Sequence, residues 1–203
     1  MARFVSTLFC SLDGVAEVDP AWHFPYFDEH MGAAVTEDYA AAEALMLGRV
    51  TYDSFAGAWP DREAAGGMDA AFAKQIGDLR KLVVTRGNQP LGWRNTEPVA
   101  DLTATVGRLR ADPDLGTVLI PGSISIVREL LSLGELDELR LLIHPVLAGT
   151  GRRVFAADAG MQPLELLDAQ TFDSGVLRLI YAPGELPAGG DYAHAAAELG
   201  DQR

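Results

Sequence analysis

The stretch Val118-Leu119-Ile120-Pro121-Gly122-Ser123-Ile124-Ser125-Ile126-Val127-Arg128-Glu129-Leu130-Leu131 decides the fold. Its opening residues are apolar and β-branched, which predicts a buried strand over Thr117–Ile120. Pro121-Gly122 punctuates the strand. From Ser123 to Leu133 the spacing changes, and Ile124, Val127, Leu130 and Leu131 form one stripe, as on a helix packed against a sheet. Ser123 stands where a helix N-cap is expected. Strand, glycine turn and helix together make the repeating unit of a layered α/β architecture.

The same alternation extends outward. Further strands are expected at Arg3–Cys10, Ala44–Leu47, Lys81–Thr85, Glu138–Val146, Leu164–Phe172 and Val176–Tyr181. Helical spacing covers Glu29–Glu43, Asp69–Asp78 and Leu102–Ala111. The last two strands are joined by Asp173-Ser174-Gly175, so a hairpin closes the chain and the sheet is mixed. One domain over residues 1–182 is expected, with 183–203 a flexible tail rich in proline, glycine, alanine and charge.

Composition narrows the function classes. A chain of 203 residues suits one domain with a substantial core. Its net charge of -13 argues against a nucleic-acid partner, which needs a basic stripe. Cys10 is the sole cysteine, so an internal disulfide and a cysteine-based zinc site are excluded, and its apolar surroundings predict a buried thiol. No metal site is expected. No run approaches a membrane span and no signal pattern precedes the first strand, so a cytoplasmic protein without a membrane partner is expected.

Three expected strand ends carry chemistry-bearing residues. Leu45-Met46-Leu47-Gly48-Arg49-Val50-Thr51-Tyr52 runs from a buried strand into a helical turn. Gly48 permits close approach of a ligand, Thr51 can cap the turn, and Arg49 adds a cation; free N–H groups there attract phosphate. The alternative is a turn glycine beside a solvated arginine. Pro121-Gly122-Ser123 repeats the arrangement without being a GxGxxG fingerprint. Val83-Val84-Thr85-Arg86 places a third strand end, the second to bear an arginine, on the rim where α/β sheets bind ligands.

These segments, with Ser11–Gly14 (SLDG), Leu119–Leu131 (LIPGSISIVRELL) and Asp137–Phe155 (DELRLLIHPVLAGTGRRVF), resemble the dihydrofolate-reductase-like superfamily. Within it the chain is similar to the reductase domain of the riboflavin-biosynthesis deaminase-reductase and its stand-alone relatives, over roughly residues 3 to 181. The resemblance implies a three-layer fold: a mostly parallel sheet, a C-terminal antiparallel hairpin and helices on both faces. It also implies NADPH as cofactor. Gly48, Arg49 and Thr51 match the cofactor cradle, Thr85 and Arg86 the position that meets the adenosine 2'-phosphate, and Pro121, Gly122, Ser123 and Ile124 the turn under the pyrophosphate and nicotinamide. The family commonly has two adjacent glycines in that turn, often with a cis peptide between them, and Pro121 replaces the first. A homodimer is implied too, with Leu139–Val146 either central or paired across a two-fold axis.

The implied reaction is NADPH-dependent hydride transfer to a small heterocycle of pyrimidine or pteridine type, like that of a riboflavin-pathway 5-amino-6-(5-phosphoribosylamino)uracil reductase. Dihydrofolate reduction and an NADP(H)- or flavin-binding protein without turnover are the alternatives. Asp13 is the candidate proton donor, or else it caps the turn at Gly14. Trp22 and Phe24, in the aromatic segment Asp19–Phe27, can stack a flat substrate or pack over the first helix. Burial or an edge role is expected for His144, a solvated face or else a contact with an anionic substrate group for Arg152 and Arg153, and solvated surface for the scattered acidic pairs.

Overall fold

The computed structural model describes residues 1–87 and 89–187. Eight strands form one sheet: β1 (Arg3–Ser11), β2 (Ala42–Gly48), β3 (Arg80–Val84), β4 (Thr96–Val99), β5 (Thr117–Pro121), β6 (Glu138–His144), β7 (Leu164–Thr171) and β8 (Leu177–Pro183). Their order in space is β4-β3-β2-β5-β1-β6-β8-β7. Every pairing from β4 to β6 is parallel, while β8 runs antiparallel to both β6 and β7. The expected mixed sheet and closing hairpin are therefore present, with Gly175 turning the hairpin at φ 84°.

Helices cover both faces because buried side chains alternate along the strands. Phe4, Leu8, Met46, Val118 and Ile120 pack against α6 (Leu102–Arg110) and α7 (Ile124–Leu133) through Val106, Leu109, Val127 and Leu130. On the other face Val5, Leu45, Leu47 and Leu119 meet Tyr39 of α2 (Glu29–Ala40), Tyr52 of α3 (Arg49–Ala56) and Ile76 of α5 (Ala70–Asp78). Met31, Ala34, Leu142, Phe172 and Val176 close a third, smaller cluster where α2 crosses the hairpin end. Each such aliphatic side chain removed from water contributes about 1.5–3 kcal/mol. Two short helices, α1 (Pro20–His23) and α4 (Trp59–Ala65), and a 3-10 turn at Phe24–Tyr26 complete the set among the described residues.

Several expectations change. The strand β4 was not anticipated, because Glu97-Pro98 looks like a loop; proline is tolerated here since β4 is an edge strand paired only with β3. The helix expected to run to Glu43 stops at Ala40, because Ala42 already belongs to β2. β6 lies between β1 and β8, so it has no free edge with which to pair across a two-fold axis; the exposed edge on that side is β7. The last strand reaches Pro183, and the Gly184 N–H donates to Pro163 O at 3.0 Å. Most of the expected tail, 188–203, lies outside the described residues.

The acidic pairs are not all solvated. Asp38, only 2% exposed, accepts hydrogen bonds from Thr7 Oγ1, Arg140 Nη1 and, at 3.1 Å, Arg178 Nη2. Arg140 is shared with Glu138, which also meets Arg3. Helix α2 is thus tied to β1, β6 and β8 by a buried ionic network. Cys10 is buried as expected, and burial pushes its thiol up to about 12.

Candidate functional site

All the parallel strands end on one edge of the sheet, and the chain leaves that edge in two directions. From β2 it enters α3 on one face; from the neighbouring β5 it enters α7 on the opposite face. Adjacent strands with divergent exits open a crevice at their C-terminal ends, where α/β sheets place their ligands.

The two exits are braced to each other. Ser123 Oγ accepts a hydrogen bond from the Gly48 N–H at 2.8 Å and donates to Thr51 Oγ1 at 2.9 Å. A Cβ added at Gly48 would lie 3.5 Å from Ser123 Oγ, and one at Gly122 would lie 3.7 Å from Thr51 Cγ2. Gly122 and Ser123 both have positive φ, 79° and 61°. Neither serine nor threonine caps its helix as expected. Gly48 is the N-cap of α3 and Ser123 that of α7, and neither supplies a side-chain cap; in α7 the Ile126 N–H donates to Ser123 O at 2.9 Å, and the N–H groups of Ile124 and Ser125 are left for a ligand together with the start of α3. Ile124 is 6% exposed and packs in the core; only its backbone can take part.

Pro121 sacrifices no ladder bond. The Gly122 N–H donates to Thr7 O across the β1 side, so the nitrogen of Pro121 faces β2, where pairing with β5 has already ended at Leu45–Leu119. The peptide preceding Gly122 is trans, as are all peptides among the described residues.

Arginines flank the crevice. Arg49 Nε lies 2.9 Å from both carboxylate oxygens of Asp53, and its Nη1 donates to Gln89 O at 3.3 Å. Arg86, one residue past Thr85 at the end of β3, is exposed and forms no ion pair with a described residue. Thr85 Oγ1 accepts from the Gly87 N–H at 3.2 Å. An open depression of about 430 Å³ separates α3 from the segment after β3, lined by Tyr52, Ala56, Pro60, Pro90 and Trp93 among others.

The rim continues onto β1 and β6. Asp13 accepts hydrogen bonds from Ser11 Oγ at 2.6 Å, the Ala148 N–H at 2.9 Å and the Gly149 N–H at 3.0 Å. The Ser11 hydroxyl and then the Ala148 amide hold its carboxyl down at about 2. Arg153 donates to the Asp13 carbonyl and lies 3.6 Å from its carboxylate, so this exposed arginine fastens the 149–153 turn to the end of β1. Asp13 thus caps its own turn and pins a second one.

Beside it stands an imidazole pair that sequence reasoning left apart. His144, the last residue of β6, is in register with Ser11 and fully buried. His23, at the end of α1, places Nδ1 3.1 Å from His144 Nε2. Trp22 is half-buried, edge-on to His144 at 5.0 Å between centroids, and Phe24 is 62% exposed with its ring 5.1 Å from His23. The two expected substrate-side aromatics therefore surround the pair. With the two histidines 121 positions apart in sequence, no local pattern announces the contact.

A model of the RibD C-terminal domain matches residues 3–178. The chain belongs to the RibD C-terminal domain family. YyaP, an uncharacterized protein of Bacillus subtilis (strain 168), is 26% identical over 184 residues, covering 88% of this chain and 94% of that protein. A pyrimidine reductase-like protein from Corynebacterium diphtheriae superposes with a TM-score of 0.63 at 17% identity, covering 91% of this chain and 92% of that one. A dihydrofolate reductase from Enterococcus faecalis, solved in complex with NADP(H) and RAB-propyl, gives 0.58 at 14% identity, covering 90% and 97%. The fold is dihydrofolate-reductase-like.

For this RibD C-terminal domain the residues present suit a dinucleotide phosphate. Two uncapped helix N-termini meet at one crevice, glycines leave the backbone open at Gly48 and Gly122, and Arg86 has no partner among the described residues. Among the described residues no cluster suits a metal ion, and no helix is long and apolar enough to cross a membrane.

Proposed function

We propose that the chain is an NADPH-dependent reductase that transfers hydride to a small heterocycle of pyrimidine or pteridine type, in the manner of the riboflavin-pathway uracil reductases. The carrying observation is the brace from Gly48 through Ser123 to Thr51, which joins two uncapped helix starts at the β2/β5 crevice. When bound, the cofactor supplies the hydride; the chain binds, orients and shields. The first turns of α3 and α7 bind the pyrophosphate, and Thr85 and Arg86 bind the extra phosphate, with Arg49 released from Asp53 to assist. Four inter-strand spacings, roughly 19 Å, separate the β3 end from the β6 end, so the rim accommodates an extended dinucleotide and a second ring.

Trp22 and Phe24 stack the acceptor ring and exclude water at the β1/β6 end. A carboxyl held at about 2 is ionised at neutral pH and does not serve as a proton donor. Asp13 is a positioning residue for the 148–149 turn, and solvent supplies the proton that follows the hydride. The homodimer stands as part of the proposal, tested by sedimentation.

Titration with NADPH and with NADH tests the reading. Saturable binding with a preference for NADPH, weakened about tenfold or more by Arg86→Ala, is expected. Equal and negligible affinity for both nucleotides would end it. Tight NADPH binding without oxidation against pterin and uracil acceptors would instead favour a binding protein without turnover.

A further inference from the structure

The His23–His144 pair has a direction. His144 Nδ1 lies 3.1 Å from Leu142 O and 3.3 Å from Cys10 O. Carbonyl oxygens only accept, so Nδ1 of His144 carries a proton. Both rings are driven neutral: burial lowers His144, and burial followed by the neighbouring His144 lowers His23 to about 4. A neutral imidazole has one N–H, so His144 Nε2 is an acceptor. His23 Nδ1, 3.1 Å away, must then be the donor. The chain of donors ends at His23 Nε2, which is left with a bare lone pair.

That atom makes no hydrogen bond to a described residue. Although His23 is only 6% exposed, its Nε2 is not among the fully enclosed, unpartnered side-chain atoms, which are Ser6 Oγ, Trp93 Nε1 and Ser174 Oγ. Around it stands an aromatic wall: ring centroids of Phe9, Phe24 and Phe27 lie 4.4, 5.1 and 5.6 Å from that of His23. His144 ends β6, two strands from the Gly122 turn of β5, or about 10 Å along the rim, and His23 reaches it from α1. A fixed acceptor beside flat apolar surfaces is suited to meet a heterocycle edge-on while the rings sandwich its faces.

We propose that His23 Nε2 is a hydrogen-bond acceptor selecting heterocycles that present a ring N–H or amino donor, with His144 the positioning residue that locks its tautomer. This rests on the reductase reading for the claim that the ligand is the hydride acceptor. It assigns the pair to recognition and not to proton delivery: donating from Nε2 would require His144 to give up a proton held between two carbonyls.

The test has two arms on the full chain. Imidazole nitrogen NMR at neutral pH should show His23 protonated at Nδ1 and bare at Nε2, and His144→Phe should bring up the Nε2-protonated form of His23. Lumazine and 1,3-dimethyllumazine, titrated by fluorescence against the protein with and without excess NADPH, then probe the acceptor. Lumazine is expected to bind about tenfold tighter, since methylation removes both N–H donors. In His23→Phe, which keeps an aromatic ring but no acceptor, the two should bind alike. A His23 protonated at Nε2, no lumazine binding, or a preference that survives His23→Phe would each overturn the inference. A separate NADPH titration distinguishes the cases: lumazine selectivity without nucleotide binding defeats the reductase reading and leaves the acceptor role intact.

Discussion

Replacing Ser123 by alanine and by glycine separates the strain in the crevice brace from the bonds that hold it. Ser123 has φ 61° and ψ 58°, a left-handed conformation that disfavours a residue with a Cβ by about 1–2 kcal/mol. Its hydroxyl makes two bonds, to the Gly48 N–H at 2.8 Å and to Thr51 Oγ1 at 2.9 Å, each worth about 1 kcal/mol net. Ser123→Ala loses both bonds and keeps the strain, so stability should fall by about 2 kcal/mol. Ser123→Gly loses the same bonds but relaxes the backbone, so its loss should be about 1 kcal/mol smaller. Urea denaturation with an unchanged slope reads the difference directly. NADPH affinity should fall in both variants, because the α3 and α7 starts are no longer fixed to each other. If alanine proves as stable as glycine, or if both match the parent, the brace does not hold the turn.

Other outcomes follow from the same geometry. The unfolded chain protonates His23 below about pH 6.5 while the folded one keeps it neutral to about 4. Stability should therefore be complete above about pH 6.5 and decline as the pH drops toward 4, by about 2–3 kcal/mol, with His23→Phe flattening the profile; a parent with no decline in that window contradicts the buried pair. Asp38→Ala leaves Arg140 and Arg178 buried without their shared carboxylate, and denaturant unfolding should show a loss of about 3–5 kcal/mol; a loss below about 1 kcal/mol would mean the network is solvated. Asp13→Asn should lower kcat/KM several-fold by loosening the 148–149 turn, yet leave the shape of kcat against pH unchanged from about pH 5 to about pH 9. Disappearance of one limb of that profile would make Asp13 the proton donor.

The sequence carried the fold where hydrophobic period and turn residues agree. β5 and α7 are legible because a run of Val118, Leu119 and Ile120 gives way at Gly122 to a helical stripe, and both local signals match the tertiary role. β4 was illegible because Thr96-Glu97-Pro98-Val99 has no strand pattern of its own; only the free edge of β3 makes it one. The convergence of Gly48, Thr51 and Ser123 was foreseeable from strand ends alone, but their bonding was not. Serine looked like a cap and serves as a cross-brace, because the left-handed turn at 122–123 swings its hydroxyl away from its own helix. The pairing of His23 with His144 gave no signal, since β6 register sets His144 beside Ser11 and the segment after β1 then carries α1 back over it, which no one-dimensional spacing encodes. Asp38 was hidden likewise: on α2 it is one acid among several, and only the sheet beneath supplies its arginines.

Amide hydrogen exchange of the full chain with and without NADPH locates the nucleotide most directly. Protection should concentrate at the C-terminal rim, in segments 47–52, 84–87 and 121–126, and extend to 11–14. Protection confined to the depression between α3 and residues 90–93, or none anywhere at saturating NADPH, would contradict a cofactor cradle at the β2/β5 crevice.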